Sequence, residues 1–270
     1  MPRLPCCWHF LRSGWLCRCR IWPVRLFGAC IFGLLAVELW RKDVIAHLND
    51  IITTACKFVT SSIGRKIIVA LTGACLLLFL VGHLAGNMTI YGGDPGNGVP
   101  SWIDAYATGL HTMPAWLLWA IRLGLAAVLL IHVVFTLVLK IENVNARTQY
   151  QKEGTLKATL SSRTMVLTGI MIFCFLLFHL WQLTVNGDPH DCYGHIVAAF
   201  SNEWCSVFYI VAICCLFMHV RHGLQSVFQT LGLSTRKVRP LYNIISVLFG
   251  LVVCGAFISI PVAFLCGILK

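Results

Sequence analysis

Charge is scarce in this sequence: Asp, Glu, Lys and Arg make up 11% of the 270 residues, against roughly 25% in water-soluble domains. That deficit excludes a surface wetted on all sides. Acidic residues are the rarest, 10 against 21 basic ones. The net charge of +11 is not a nucleic-acid footprint, because the basic residues gather in particular loops and no nucleic-acid motif accompanies them. There is no C-x-x-C-H, so covalent attachment of a c-type haem is not indicated. G-x-G-x-x-G and iron–sulfur cysteine spacings are also missing. The 14 cysteines are scattered, and Cys17–Arg18–Cys19 lacks zinc or cluster spacing. Cys75, Cys174, Cys214, Cys215, Cys254 and Cys266 lie inside apolar runs and read as small packing residues.

What is present is hydrophobic, 58% of the chain. Five long apolar runs stand out: Ile67–Tyr91, Pro114–Leu139, Thr164–Val185, a run from near Trp204 to near Leu231, and Leu241–Leu269. Each is long enough to cross a hydrocarbon core of about 30 Å at 1.5 Å per residue. The expected fold is therefore all-α and integral to the membrane, with five transmembrane helices. Arg65 and Lys66 precede the first run. Lys140, Arg147, Lys152, Lys157 and Arg163 lie between the second and third, and Arg236, Lys237 and Arg239 follow the fourth. The Gly92–Met113 and Asn186–Glu203 loops carry no Lys or Arg, only Asp94, Asp104, Asp188, Asp191 and Glu203. The positive-inside rule puts the start of the first spanning helix in the cytoplasm and the C-terminus outside.

Residues 1–60 stand apart. Arg3, Arg12, Arg18, Arg20 and Arg25 precede the short apolar stretch Leu26–Val37, and Arg41 and Lys42 follow it. Basic flanks on both sides argue against a span. A signal-like or interfacial segment, or a non-native extension from an upstream start codon, fits this pattern. The expected division is residues 1–60 as a basic N-terminal extension and 61–270 as the membrane domain.

The membrane domain contains a repeat. Leu71-Thr72-Gly73 is followed by His83-Leu84, and Leu167-Thr168-Gly169 by His179-Leu180, at identical spacing. The first and third spans are thus equivalent members of two helix pairs, with Gly73 and Gly169 permitting close helix approach.

Histidine is the polar residue that the spans do hold: His83, His132, His179, His219 and His222. Ionisable groups inside a bilayer are costly and mark function by default. The plain alternative for any one of them is a neutral imidazole hydrogen-bonded to a neighbouring helix. Depth adds a constraint. His83 lies about 26 Å beyond Lys66 and His179 about 24 Å beyond Arg163, so both sit toward the outside. His132 and His222 lie about 27–28 Å from the outer ends of their antiparallel helices, so both sit toward the inside. The two levels are roughly 10–15 Å apart. Two imidazoles at one level, on facing helices, can hold one haem iron from both sides within a bundle core. Two levels imply two haems, and double ligation suits electron transfer rather than oxygen activation.

His219 and His222 compete for the inner position. They share a helical face three residues apart. Repeat matching leaves the choice open, since His132-Val133 resembles His219-Val220, while depth and the small neighbour Gly223 favour His222, which is the preferred ligand. Arg122, about 12 Å inside its helix, is a candidate partner for an outer haem propionate. Arg65, Arg163 and Arg221 are candidates for inner propionates or a cytoplasmic partner, although topology alone explains the first two. His111 sits at the outer start of the second span, and His190 and His195 lie in the outer loop, where a solvated role leads over a quinone-side one.

Two motifs carry a family resemblance. Ser61-Ser62-Ile63-Gly64-Arg65-Lys66 followed by Gly82-His83-Leu84-Ala85-Gly86-Asn87 resembles the first helix of the succinate dehydrogenase cytochrome b558 subunits. The run from His219 through His222-Gly223-Leu224-Gln225-Ser226 to Gln229-Thr230-Leu231-Gly232 is similar to their fourth helix. The resemblance covers about residues 58–268 and implies a di-haem membrane anchor of succinate:quinone oxidoreductase or quinol:fumarate reductase (complex II). It implies a haem-binding four-helix core plus a fifth helix, two haem b groups, and ligation by His83, His132, His179 and His222. It also implies a flavoprotein subunit and an iron–sulfur subunit as partners on the cytoplasmic face of a bacterial membrane. Succinate chemistry would take place on those partners. Electrons would pass through the inner haem (His132, His222) and the outer haem (His83, His179) to a quinone, usually menaquinone, near the outer face. Asn87, Tyr91, Asp104 and Tyr106 are candidate quinone-side residues. Other readings are a di-haem cytochrome b of a hydrogenase or formate dehydrogenase, and a non-haem transporter with intramembrane histidines.

Overall fold

The computed structural model describes residues 14–93, 96, 99–147, 160–188 and 191–269, with side chains from residue 37 onward except at 146–147 and 160–163. Residues 1–13, Asp94, Lys152, Lys157 and His190, and the side chains of Arg18, Arg20, Arg25, Arg147 and Arg163, lie outside the described residues. The chain divides into two units, Met1–Thr60 and Ser61–Lys270. The first contains one helix, α1 (Gly14–Thr60).

The second unit begins where Ser61 caps α2 (Ser62–Asn87), its hydroxyl accepting from the Gly64 N–H at 2.9 Å. This satisfies one of the donors that every helix start leaves open. Then follow α3 (Trp102–His111), α4 (Ala115–Arg147), α5 (Leu160–Leu180), α6 (Cys192–Phe200), α7 (Glu203–Thr230) and α8 (Arg239–Leu265). Five stretches are long and apolar enough to span a membrane: Ser62–Gly92, Ala115–Asn145, Thr164–Val185, Glu203–Thr230 and Arg239–Leu265. They coincide with the five runs expected from the sequence. Their outward faces carry large apolar side chains such as Leu78, Trp116, Trp204 and Val252, all more than 65% exposed. In water that surface would be prohibitive; in lipid it is the required solvent-facing surface. The protein is a multi-pass helical membrane protein.

The boundaries differ from the hydropathy runs where polar residues continue a helix. α2 starts at Ser62 and α4 runs on to Arg147, so Arg65, Lys66 and Lys140 lie on helical turns rather than in loops. Arg65 pairs with Glu142 at 2.5 Å, which joins the start of α2 to the end of α4.

α2 packs against α4, α5 against α7, and α7 against α2, while α8 lies along α7 and also touches α2. Among the described residues, α2 with α5 and α4 with α7 are not close-packed pairs. The far end of the bundle is closed by α3 and α6. There Ile90, Ile103, Ile196, Phe200, Tyr209 and Ile260 form the most buried apolar cluster. Asp104 ties the two short helices together: its carboxylate accepts from Ser101 Oγ at 2.5 Å and from the Tyr193 N–H at 2.8 Å. Gly86 faces the Tyr106 ring so closely that any Cβ would overlap it.

The repeat-related helices α2 and α5 diverge at this capped end. α2 tightens into a 3₁₀ turn, Met88–Gly92, and leaves it at Gly93 with φ 68°. α5 widens into a π turn, Trp181–Val185, with the Asn186 N–H bonding the Trp181 carbonyl at 3.1 Å. Single π turns inside spanning helices frequently accompany functional sites.

Candidate functional site

His83 on α2 and His179 on α5 come together across the bundle. Their ring centroids are 5.9 Å apart and the rings are perpendicular, at 89°. Metal–imidazole bonds of about 2 Å on opposite sides of one ion place ring centroids roughly 6 Å apart. Phe79 stacks on His83 at 5.5 Å, and Phe175 lies 5.6 Å from His179, so the pair sits in an aromatic surround.

The hydrogen bonds around His179 define its tautomer. Tyr209 on α7 has one hydroxyl proton and donates it to Gln182 Oε1 at 2.8 Å. Its oxygen is therefore the acceptor toward His179 Nδ1, 3.2 Å away. A protonated Nδ1 leaves the Nε2 lone pair available to a metal. On the opposite side, Asn87 Nδ2 lies 3.3 Å from His83 Nε2 and also donates to the His83 carbonyl at 2.7 Å. The second bond keeps the amide satisfied when the ring nitrogen takes another partner.

The second level lies nearer the Arg65–Glu142 end. His132 on α4 fits against the Thr-Gly step of α2: a Cβ on Gly73 would stand 3.1 Å from His132 Cε1. Thr72 Oγ1 donates to the Ile68 carbonyl at 2.7 Å, so it accepts from His132 Nδ1 at 3.1 Å. The second half of the repeat reproduces this seat with His219 of α7. A Cβ on Gly169 would stand 3.4 Å from His219 Cε1. Thr168 Oγ1 donates to the Met165 carbonyl at 3.0 Å and faces His219 Nδ1 at 3.5 Å. His132 and His219 are thus seated alike on the two halves of the repeat. Gly73 precedes His83, and Gly169 precedes His179, by about 15 Å of helix rise, which separates the two levels.

His222, preferred from depth, is half-buried one turn further along α7 and makes no hydrogen bond or ring contact among the described residues. The sequence signal for His219 was the pairing of His132-Val133 with His219-Val220, read together with the Thr-Gly repeat. Nothing in the sequence pattern singles out Tyr209 or Gln182. His195 on α6 bonds the Gln182 carbonyl, inside the π turn, through Nε2 at 2.9 Å. A solvated role for it does not describe that contact.

The other polar candidates are dispersed. Tyr91 donates to Ser259 Oγ at 2.6 Å, and Tyr106 packs on Gly86. His111 bonds the Ala107 carbonyl of its own helix. Arg122 is exposed and lies over Trp119, 5.6 Å from the ring centroid. Beside Asp104, burial pushes the Cys192 thiol pKa up, and the charges of Asp104 and Asp191 push it the same way. No group of three or more His, Cys, Asp or Glu side chains gathers for a metal ion among the described residues. The donor sets here are pairs of imidazoles flanked by apolar and aromatic groups, which is the set a bis-histidine haem requires and a bare metal ion does not.

Residues 142–258 match the family model described as succinate dehydrogenase/fumarate reductase transmembrane subunit. The matched segment runs from the end of α4 into α8 and includes His179, Tyr209, His219 and His222. No curated protein and no solved structure matches the chain. Over residues 142–258, the chain is therefore similar to succinate dehydrogenase/fumarate reductase transmembrane subunits.

Proposed function

We propose that the chain is the membrane-anchor cytochrome b of a succinate:quinone oxidoreductase or quinol:fumarate reductase, carrying two b haems. The observation that supports this most directly is the arrangement of imidazoles at two levels about 15 Å apart. At each level the two rings come from helices that are not packed against one another. His83 and His179 are the outer ligands. For the inner site, the Thr168–Gly169 seat favours His219 opposite His132, with His222 the alternative. When bound, a haem with two histidine ligands supplies one-electron carriage without an open iron position.

The chain's own contribution is position and exclusion. The hydroxyls of Thr72, Thr168 and Tyr209 hold three imidazoles with Nε2 free. The α3–α6 cap and the lipid-facing side chains keep the sites dry. The succinate or fumarate chemistry belongs to a flavoprotein subunit, linked through an iron–sulfur subunit docked on the cytoplasmic face of a bacterial membrane. A quinone, menaquinone for an anchor of this type, exchanges electrons near the α3–α6 face. Isolation of the native complex tests the proposal. It should contain both partner subunits and two b haems per anchor in a dithionite-reduced minus oxidised spectrum. A correctly assembled complex without a b-type spectrum refutes the haem assignment. Hydrogenase or formate dehydrogenase subunits in place of the two partners refute the complex II assignment.

A further inference from the structure

We infer that Tyr209 is a positioning residue for His179 and sets the reduction potential of the outer haem. The inference rests on the di-haem reading above. Tyr209 is 6% exposed, and its ring is held edge-on by Phe175 and Phe200, each at a centroid distance of 4.9 Å. Its hydroxyl stands between two partners from one stretch of chain, His179 Nδ1 at 3.2 Å and Gln182 Oε1 at 2.8 Å. That stretch is where α5 changes from an α to a π turn. The wider turn keeps Gln182, three residues after the histidine, directed at the same hydroxyl. His195 anchors the turn from α6 through the Gln182 carbonyl.

The consequence follows from proton counting. Donation to Gln182 uses the phenol's only hydrogen, so the oxygen can only accept from His179. A hydroxyl that donates is polarised into a better acceptor. An acceptor on the distal N–H of a ligating imidazole fixes its tautomer and raises its basicity. A more basic imidazole favours ferric over ferrous iron. At the inner level the acceptors are threonine hydroxyls that donate to helix carbonyls. The two levels therefore have different ligand strengths built into the protein.

The test is a redox titration of the assembled complex, with the outer component assigned by its loss in His179→Ala. Tyr209→Phe keeps the ring and removes the acceptor. It should retain both haems and raise the midpoint potential of the outer one, leaving the inner one unmoved. Gln182→Met removes the acceptor that polarises the phenol, leaving its oxygen a weaker acceptor from His179 Nδ1, and should move the same component in the same direction. If Tyr209→Phe fails to assemble, Gln182→Met decides. Two haems with an unmoved outer potential overturn this inference alone, whereas a wild-type complex without haem overturns the di-haem reading and the inference with it.

Discussion

Three residues on α7 separate the two candidates for the inner ligand, and that interval explains why they are hard to tell apart in sequence. At 100° per residue the two side chains differ by about 60° around the helix and about 4.5 Å along it. A depth count from loop charges is coarser than that. The structure adds side-chain surroundings that depth does not contain. His219 has a hydroxyl facing Nδ1 and a glycine beneath the ring, as His132 has. His222 has neither. We therefore expect His219→Ala to halve the haem content of the purified complex, removing the inner component and sparing the outer. His222→Ala should keep both. The reverse pattern in a haem assay would make His222 the ligand. Tyr209 was unreadable for a different reason: one aromatic in an apolar run looks like packing, and its role depends on a partner 30 residues away in the chain.

Helices α2 and α5 show what a repeat preserves and what it releases. Their Thr-Gly steps both receive an imidazole from the following long helix, and their histidines meet each other further along. At both steps the imidazole lies directly over the glycine: a Cβ on Gly73 would ask the His132 ring to give by a few tenths of an ångström, one on Gly169 would just touch His219, and a branched side chain would push further into either ring. Gly73→Val and Gly169→Val should each displace the neighbouring ring and lower inner haem content at least several-fold, with the outer spectrum retained. Gly255→Val is the control, since no atom lies within 4 Å of a Cβ there. Full haem in the two seat variants would mean that the glycines serve helix approach alone. The five spans were legible because charge-free runs of this length have few other uses. The helix ends were less so, because capping and ion pairing, as with Ser61 and Arg65–Glu142, carry helices into polar sequence. The π turn at Trp181–Val185 left no trace in hydropathy, since α, 3₁₀ and π turns bury the same side chains. The short helices α3 and α6 were seen only as acidic loops, and their junction at Asp104 depends on a contact 89 residues apart.

The asymmetry of the whole molecule lies in its two ends. One is basic, with Arg65, Lys66 and Lys140 near the Arg65–Glu142 pair, Arg236 and Lys237 between α7 and α8, and Arg239 opening α8. The other is capped by α3 and α6 and holds Asp104, Asp188, Asp191 and Glu203 with no Lys or Arg in either connection. Lys and Arg near the ends of spans are retained on the cytoplasmic side, while Asp and Glu contribute little to orientation. Five spans then carry the C-terminus to the opposite side from the start of α2. A protease-cleavable tag placed after Lys270 should be removed from intact spheroplasts. The same tag in the connection between α4 and α5 should be cut only after the membrane is opened. Reversal of this pattern would put the basic end outside and the partner subunits on the α3–α6 face. The histidine levels would then exchange names: His83 and His179 would lie nearest the iron–sulfur subunit, and the potential set through Tyr209 would belong to the entry side of the chain of carriers. Tag accessibility thus decides which imidazole pair lies on the quinone side of the proposed complex.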